Sequence, residues 1–97
     1  MLRYKSTPWG EAQTEEVIAD GIVMYTTASH GGFEISDKRR YQMPKKMREF
    51  QTWAGGNWYE EDCDCALVIV SFPQYFKPAT VERCTKYLRQ AHPELEI

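Results

Sequence analysis

The stretch W-Y-E-E-D-C-D-C-A at residues 58–66 concentrates side chains that can do chemistry, with four carboxylates and two thiols in nine positions. Such groups can bind a metal ion, transfer protons or, when exposed, present negative charge to a basic partner. Each kind of chemistry needs different surroundings. The remainder of the chain therefore decides between a metal site, a catalytic site and an acidic binding surface.

A metal site is disfavoured by the spacing of the ligands. Structural zinc needs thiols two to four residues apart and a second pair of Cys or His. Beyond Cys63 and Cys65, the chain offers only Cys84, His30 and His92. On the helix that we predict for this stretch, Cys63 and Cys65 would also point about 200° apart. We therefore interpret the cysteines as small core residues and expect neither a metal nor a cofactor.

Catalysis by these residues is disfavoured as well. His30 lies in a predicted turn, and nothing in the sequence brings it near Cys63 or Asp62. A carboxylate pair for acid–base chemistry needs one pKa raised by burial, whereas the start of a helix favours the charged form. Gly31-Gly32 and Gly55-Gly56 match no phosphate-binding pattern. We expect no enzymatic activity, and a small cysteine- or metal-dependent enzyme remains the alternative.

Charge is unevenly distributed along the chain although its total is small. The 97 residues include 12 Lys and Arg and 14 Asp and Glu, a formal net charge of −2. Six basic residues lie within residues 38–48, whereas residues 60–64 hold four acids and no base. The basic segment 38–48, with Tyr41 and Phe50 nearby, makes a DNA-binding regulator a further alternative.

The elements that position these residues are predicted to form an α+β fold. Asp20-Gly21 lies between two strand-forming runs and predicts a hairpin of residues 11–19 with residues 22–28. Alternation in residues 33–35 adds a third strand. Helices are predicted at residues 59–72 and 79–91, with one or two short ones after Ser36. We expect one domain at residues 1–97, with a three-stranded antiparallel sheet packed with two to three helices.

The acids would then form two rows. On a strand, Glu11, Gln13 and Glu15 would share a face, with about 6.6 Å between alternate residues. On a helix, Glu60 and Asp64 would be neighbours at roughly 5–6 Å. Both spacings are near those that a phosphate backbone presents as it winds with a rise of about 3.4 Å per phosphate. The rows could replace phosphates, and spacing alone leaves open that they only cap and solubilise a helix.

A series of short motifs along residues 8–76 resembles a family of small proteins carried by plasmids, integrative elements and phages. The motifs are P-W-G at 8–10, G-I-V at 21–23, S-H-G-G at 29–32 and W-Y-E-E-D-C-D-x-A at 58–66, followed by an aliphatic run and F-P at 72–73. Cys65 stands where that family has Trp. The chain also looks like phage anti-CRISPR proteins that mimic DNA to inhibit a type I surveillance complex, with subtype I-F as the expected target.

The resemblance implies an inhibitor that binds the Lys- and Arg-rich surface with which the crRNA-guided complex holds target DNA. It also implies a monomer in the cytoplasm of the bacterial host that binds neither nucleic acid nor a membrane. No stretch of the chain reaches the roughly 20 apolar residues of a membrane helix. The expected contacts are the acids of both rows and two aromatic anchors: Glu11, Glu15, Glu16, Glu60, Glu61, Asp62, Asp64, Tyr59 and Trp58.

Overall fold

The strands form a four-stranded antiparallel sheet and a separate two-stranded ladder. The computed structural model describes residues 5–97. The small ladder joins β1 (Ser6–Thr7) to β2 (Gly10–Glu11). The main sheet contains, hydrogen-bonded in this order, β3 (Thr14–Ala19), β4 (Ile22–Thr26), β5 (Gly31–Ile35) and β6 (Trp58–Glu60). The α+β class is confirmed, and the main sheet has one strand more than predicted.

The predicted hairpin across Asp20-Gly21 is confirmed, because β3 and β4 pair on either side of this turn. Gly21 has a φ of +82°, a conformation that glycine adopts without the steric cost that other residues incur. β3 begins only after Gln13, since Glu11 pairs with β1 in the small ladder. The predicted row of Glu11, Gln13 and Glu15 along one strand is therefore wrong.

Residues 58–64 form a strand and a turn, whereas a helix beginning at residue 59 was predicted. Each residue of β6 pairs with a residue of β5. Aromatic residues favour strands, and strand alternation directs Tyr59 into the core and Trp58 to the other face. The helix α3 (Cys65–Ser71) begins only after this turn. The predicted helical pairing of Glu60 with Asp64 is therefore wrong.

The helices begin and end where local chemistry requires it. Ser36 caps the first helix by accepting a hydrogen bond from the backbone N–H of Arg39. Pro44 separates it from the second helix, because proline cannot continue a helical hydrogen-bond series. The predicted helix at residues 79–91 is confirmed and starts one residue earlier. Besides α3, the described helices are α1 (Asp37–Gln42), α2 (Lys45–Arg48), α4 (Pro78–Ala91) and the short 3-10 turns Pro73–Tyr75 and Pro93–Leu95.

One face of the main sheet carries the hydrophobic core. α3 packs along α4 and contacts β5 and β6. Burial of these apolar side chains is the main favourable contribution to folding. The largest fully buried side chains are Tyr59, Ile22, Ile35, Leu67, Leu88 and Val68.

Aromatic rings, rather than helices, cover the opposite face of the sheet. The Trp9 and Trp58 rings meet edge to face with centroids 5.7 Å apart, and Tyr25 lies 5.9 Å from Trp58. Trp9 reaches over Gly32, where an added Cβ would stand only 2.5 Å from the Trp9 Cη2 atom. We call this side, defined by Trp9, Tyr25, Gly32 and Trp58, the aromatic face.

Candidate functional site

The four acids of residues 60–64, which we call the acidic turn, connect β6 to α3. The turn is fixed at its start because the backbone N–H of Glu61 donates to the Gly31 carbonyl oxygen at 2.9 Å. The Glu60 carboxylate accepts a hydrogen bond from the backbone N–H of Asp62. Glu61 and Asp62 are exposed, and Glu60 and Asp64 are half-buried. The acidic turn thus presents carboxylates on an ordered backbone.

The other predicted acids, which we call the strand acids, are Glu11, Glu15 and Glu16. All three are exposed. Glu15 and Glu16 lie on β3, at the sheet edge opposite β6. Because strand neighbours alternate between faces, Glu15 lies on the aromatic face and Glu16 on the helical side. The structure therefore separates Glu15 and Glu16 from the acidic turn by the width of the sheet, whereas Glu11 lies in the small ladder.

A row of paired residues across the sheet connects the two clusters. Glu15 pairs with Tyr25, Tyr25 with Gly32, and Gly32 with Glu60. All four residues lie on the aromatic face. With neighbouring strands about 4.8 Å apart, the Glu15 and Glu60 backbones are about 14 Å apart. This separation is comparable to the width of about 12 Å of the major groove of B-DNA.

Within residues 5–97, neither the acidic turn nor the strand acids form an ion pair with Lys, Arg or His. The ion pairs of this part of the chain lie elsewhere: Lys5 with Glu34 at 3.4 Å, Lys46 with Glu96 at 2.6 Å and His92 with Glu94 at 3.3 Å. The basic segment 38–48 does not neutralise the acidic turn either, because α1 follows the Ile35 end of β5 whereas the turn bonds to the Gly31 end. The basic segment 38–48 and the acidic turn therefore lie at opposite ends of β5.

The two predicted aromatic anchors do not lie on an open surface. Tyr59 is only 1% exposed and belongs to the core, so its prediction as a contact residue is wrong. Trp58 is half-buried between Trp9 and Tyr25. Alternation along a strand predicts that Trp58 and Tyr59 lie on opposite faces of the sheet. Only the pairing of β6 with β5 shows which of these two faces carries the hydrophobic core.

Trp53 is an exposed aromatic side chain beside the acidic turn, and the sequence analysis missed it. Its side chain is 74% exposed, and its backbone N–H donates to Asp64 Oδ2 at 2.8 Å. Thr52 fixes the same loop by donating to the Trp58 carbonyl oxygen at 3.1 Å. The sequence does hold a signal for an exposed ring at this position, because Trp53 directly precedes the loop Ala54-Gly55-Gly56. A loop by itself cannot bury so large a side chain.

The S-H-G-G motif at residues 29–32 has a structural role. Ser29 and His30 belong to the turn between β4 and β5, and Gly31 and Gly32 begin β5. The Ser29 hydroxyl donates to the Trp9 carbonyl oxygen at 3.2 Å, and the Thr27 hydroxyl closes the turn by donating to the His30 carbonyl oxygen at 2.5 Å. His30 is exposed. The motif therefore holds Trp9 over the aromatic face and leaves room for it at Gly32.

The cysteines occupy different surroundings. Cys63 is exposed, whereas Cys65 and Cys84 are half-buried and pack against the core. Cys65 donates to the Glu61 carbonyl oxygen at 2.9 Å, and burial is the main cause that raises its pKa to about 12. No hydrogen bond links Cys63 to His30 in the described part of the chain. Residues 5–97 contain no group of three or more His, Cys, Asp or Glu side chains able to hold a metal ion.

The raised pKa of Cys65 makes the protein sensitive to alkali. Between the ordinary value of 9.0 and about 12, the folded state keeps a proton that the unfolded state loses. The free energy of unfolding therefore falls as the pH rises through this range, by up to about 1.4 kcal/mol per pH unit for one thiol. Urea unfolding at pH 7, 9 and 10 is expected to show a shallower decline for Cys65→Ala than for the original chain.

The matched control is Cys63→Ala, because Cys63 is exposed. Its free energy of unfolding is expected to fall as steeply as that of the original chain up to pH 10, the ordinary pKa of tyrosine, because a hydrogen bond with Cys63 is the main cause that raises the pKa of Tyr87 to about 12. Buried tyrosines contribute at higher pH, since burial also raises the pKa of Tyr25 to about 12. Equal declines for Cys65→Ala and the original chain between pH 9 and 10 would contradict the assignment.

Comparison with known proteins identifies a family but no relative of known activity. The family model described as a domain of unknown function, DUF7007, matches residues 3–95. No curated protein and no solved structure matches the chain. In residues 5–97, none of the helices has the length and apolar character needed to cross a membrane.

Proposed function

We propose that this chain, which belongs to the DUF7007 family, a domain of unknown function, is an inhibitor that mimics DNA. The proposed partner is a type I crRNA-guided surveillance complex, of subtype I-F. The chain acts there as a monomer in the bacterial cytoplasm and blocks target DNA. The observation that carries the proposal is the pair of acidic clusters without a neutralising cation in residues 5–97.

Electrostatics favours this kind of partner. A surface that binds DNA presents Lys and Arg toward phosphates at fixed separations. Glu15 and Glu60 are separated by about 14 Å across a rigid sheet and offer carboxylates to such residues. Complementary charge speeds association and, at the contact, excludes DNA from the same side chains. The motifs of residues 8–76, from P-W-G to F-P, support a role on a mobile element, and the identity of the complex comes only from the likeness to anti-CRISPR proteins.

Trp53 takes the role of the aromatic anchor in this proposal. Exposed tryptophans dominate the affinity of many protein interfaces, because they bury a large area with few rotatable bonds. The hydrogen bond from the Trp53 backbone N–H to Asp64 holds the backbone of Trp53 beside the acidic turn. An arginine of the partner can form an ion pair with the carboxylates of the acidic turn and stack its guanidinium group on the indole ring of Trp53.

A competition assay tests the proposal directly. Purified type I-F surveillance complex is mixed with labelled target duplex, and the chain is then added at increasing concentration. We expect the duplex to be displaced, and the required concentration to rise with salt because the contacts are between charges. Undiminished duplex binding in the presence of saturating chain would reject this partner.

A second candidate, a DNA-binding regulator, is favoured by one observation. Arg40 and Arg48 form no ion pair in residues 5–97, and Tyr41 beside them is 74% exposed. This candidate predicts that the chain alone binds plain duplex, with an affinity that falls steeply with salt. The inhibitor is expected to bind no plain duplex. A gel-shift experiment without the complex therefore separates the two functions.

A further inference from the structure

A cavity in the basic segment is not used by the proposed inhibitor mechanism. Its volume is about 340 Å³, and residues of α1 and α2 with the following Glu49 line it. Two of these residues are arginines. The lining consists of Asp37, Arg40, Tyr41, Arg48 and Glu49.

Arg40 brings a guanidinium group whose donors are mostly unused. Its Nε is buried and has no hydrogen-bond acceptor in residues 5–97, and its Nη1 reaches Asn57 Oδ1 only at 3.4 Å. The nearby Asp37 carboxylate accepts instead from Asn57 Nδ2 at 2.8 Å. A buried donor without an acceptor is costly, and an anion beside the guanidinium would offset part of this cost.

Arg48 contributes a second guanidinium that is held in place by an aromatic ring. Its Cζ lies 5.6 Å from the centre of the Tyr41 ring, and its Nη1 donates to the Tyr41 carbonyl oxygen at 3.4 Å. Stacking on a ring orders the planar group and leaves its outer N–H donors available. Glu49 is exposed, so solvent and salt screen its charge.

We infer that this cavity binds a phosphate group. A phosphate offers three or more oxygens and up to two negative charges to two guanidinium groups at once, whereas a carboxylate offers two oxygens and one charge. Tyr41 is 74% exposed and provides a ring on which a base can stack. A nucleotide monophosphate therefore fits the cavity better than inorganic phosphate.

Titration of the isolated chain tests this inference, with amide chemical shifts as the readout. Inorganic phosphate, adenosine 5′-monophosphate and acetate are added separately. We expect saturable shifts confined to the neighbourhood of residues 36–49, tighter binding of the nucleotide than of phosphate, and no saturation with acetate. Equal affinity for phosphate and nucleotide would reject the stacking role of Tyr41, and no saturation with either would reject the site.

Variants with matched charge identify the residues that bind. Arg48→Gln is expected to weaken phosphate binding by about tenfold or more, since it removes one charged hydrogen-bond donor group. Lys38→Gln removes the same charge from an exposed position on α1 outside the cavity lining, and little change is expected. An equal loss for both variants would show that the charge of the segment attracts anions without a site.

Tyr41→Leu distinguishes a nucleotide from inorganic phosphate as the ligand of the cavity. It is expected to make the affinities for nucleotide and inorganic phosphate equal, because the base loses its stacking partner, and to lower both, because the Arg48 guanidinium loses the ring that orders it. The inference is also independent of the proposed inhibitor, since Arg48→Gln leaves both acidic clusters intact. Displacement of target duplex by this variant at the original concentration is therefore expected whether or not the cavity binds phosphate.

Discussion

Reversing the charge of the acidic turn is expected to abolish displacement of target DNA from the surveillance complex. In Glu60→Lys/Glu61→Lys, each basic partner would meet a like charge at close range. A lost charge-assisted contact costs about 1–3 kcal/mol. The double variant should therefore bind at least about 30-fold more weakly. The measurement is the concentration that displaces half of the labelled duplex at fixed salt.

The same assay can separate the charge of the turn from its hydrogen bonding. In Glu60→Gln/Glu61→Gln, the side chain at position 60 keeps an oxygen that can accept from Asp62, and an intermediate loss of affinity is expected. Glu82→Lys is the matched control, because Glu82 is exposed on α4 and belongs to neither acidic cluster. Displacement as strong as that of the original chain is expected for this control.

The strand acids give a second and independent test of the same surface. Glu15→Lys is expected to weaken displacement as well, because Glu15 lies on the aromatic face in one row with Glu60, whereas Glu16→Lys, on the helical side, is expected to have a smaller effect. Melting temperatures of all variants are measured beside binding, because a misfolded chain would also lose activity. Full inhibition by well-folded variants at both clusters would refute DNA mimicry.

Gly32→Ala is expected to cause the largest loss of stability, about 3 kcal/mol or more. The added Cβ would stand inside contact distance of the Tyr59 carbonyl oxygen, 2.5 Å from Trp9 Cη2 and 3.0 Å from the Glu60 Cα. Two of these three atoms belong to the backbone of β6, which cannot move without breaking its pairing with β5. Urea unfolding measures the loss, and near-ultraviolet circular dichroism follows the packing of Trp9 and Trp58.

Gly55→Ala is the comparison for this prediction. Gly55 has a φ of +79°, and an added Cβ there would meet nothing within 4 Å. Its substitution therefore measures backbone strain without a clash, a cost of about 1–2 kcal/mol. If Gly32→Ala unfolds with a free energy close to that of the original chain, the aromatic face does not hold Trp9 against the sheet as described.

The sequence by itself determined the elements whose causes lie within a few residues. Asp20-Gly21 specifies a hairpin because its turn geometry is local. Ser36 begins a helix because a capping side chain acts on the adjacent backbone. The composition of residues 60–64 likewise determined that an acidic segment exists, and the exposure of Glu61 and Asp62 agrees with their charge.

Only the tertiary structure decided what surrounds that acidic segment. Residues 58–60 are strand rather than helix because they pair with Gly32, Phe33 and Glu34, and such pairing depends on contacts far apart in the chain. The same pairing buries Tyr59 and leaves Trp53 as the exposed ring beside the acids. Periodicity cannot choose between a buried strand and a buried helix, since it reports which residues share a face and not which surface covers them.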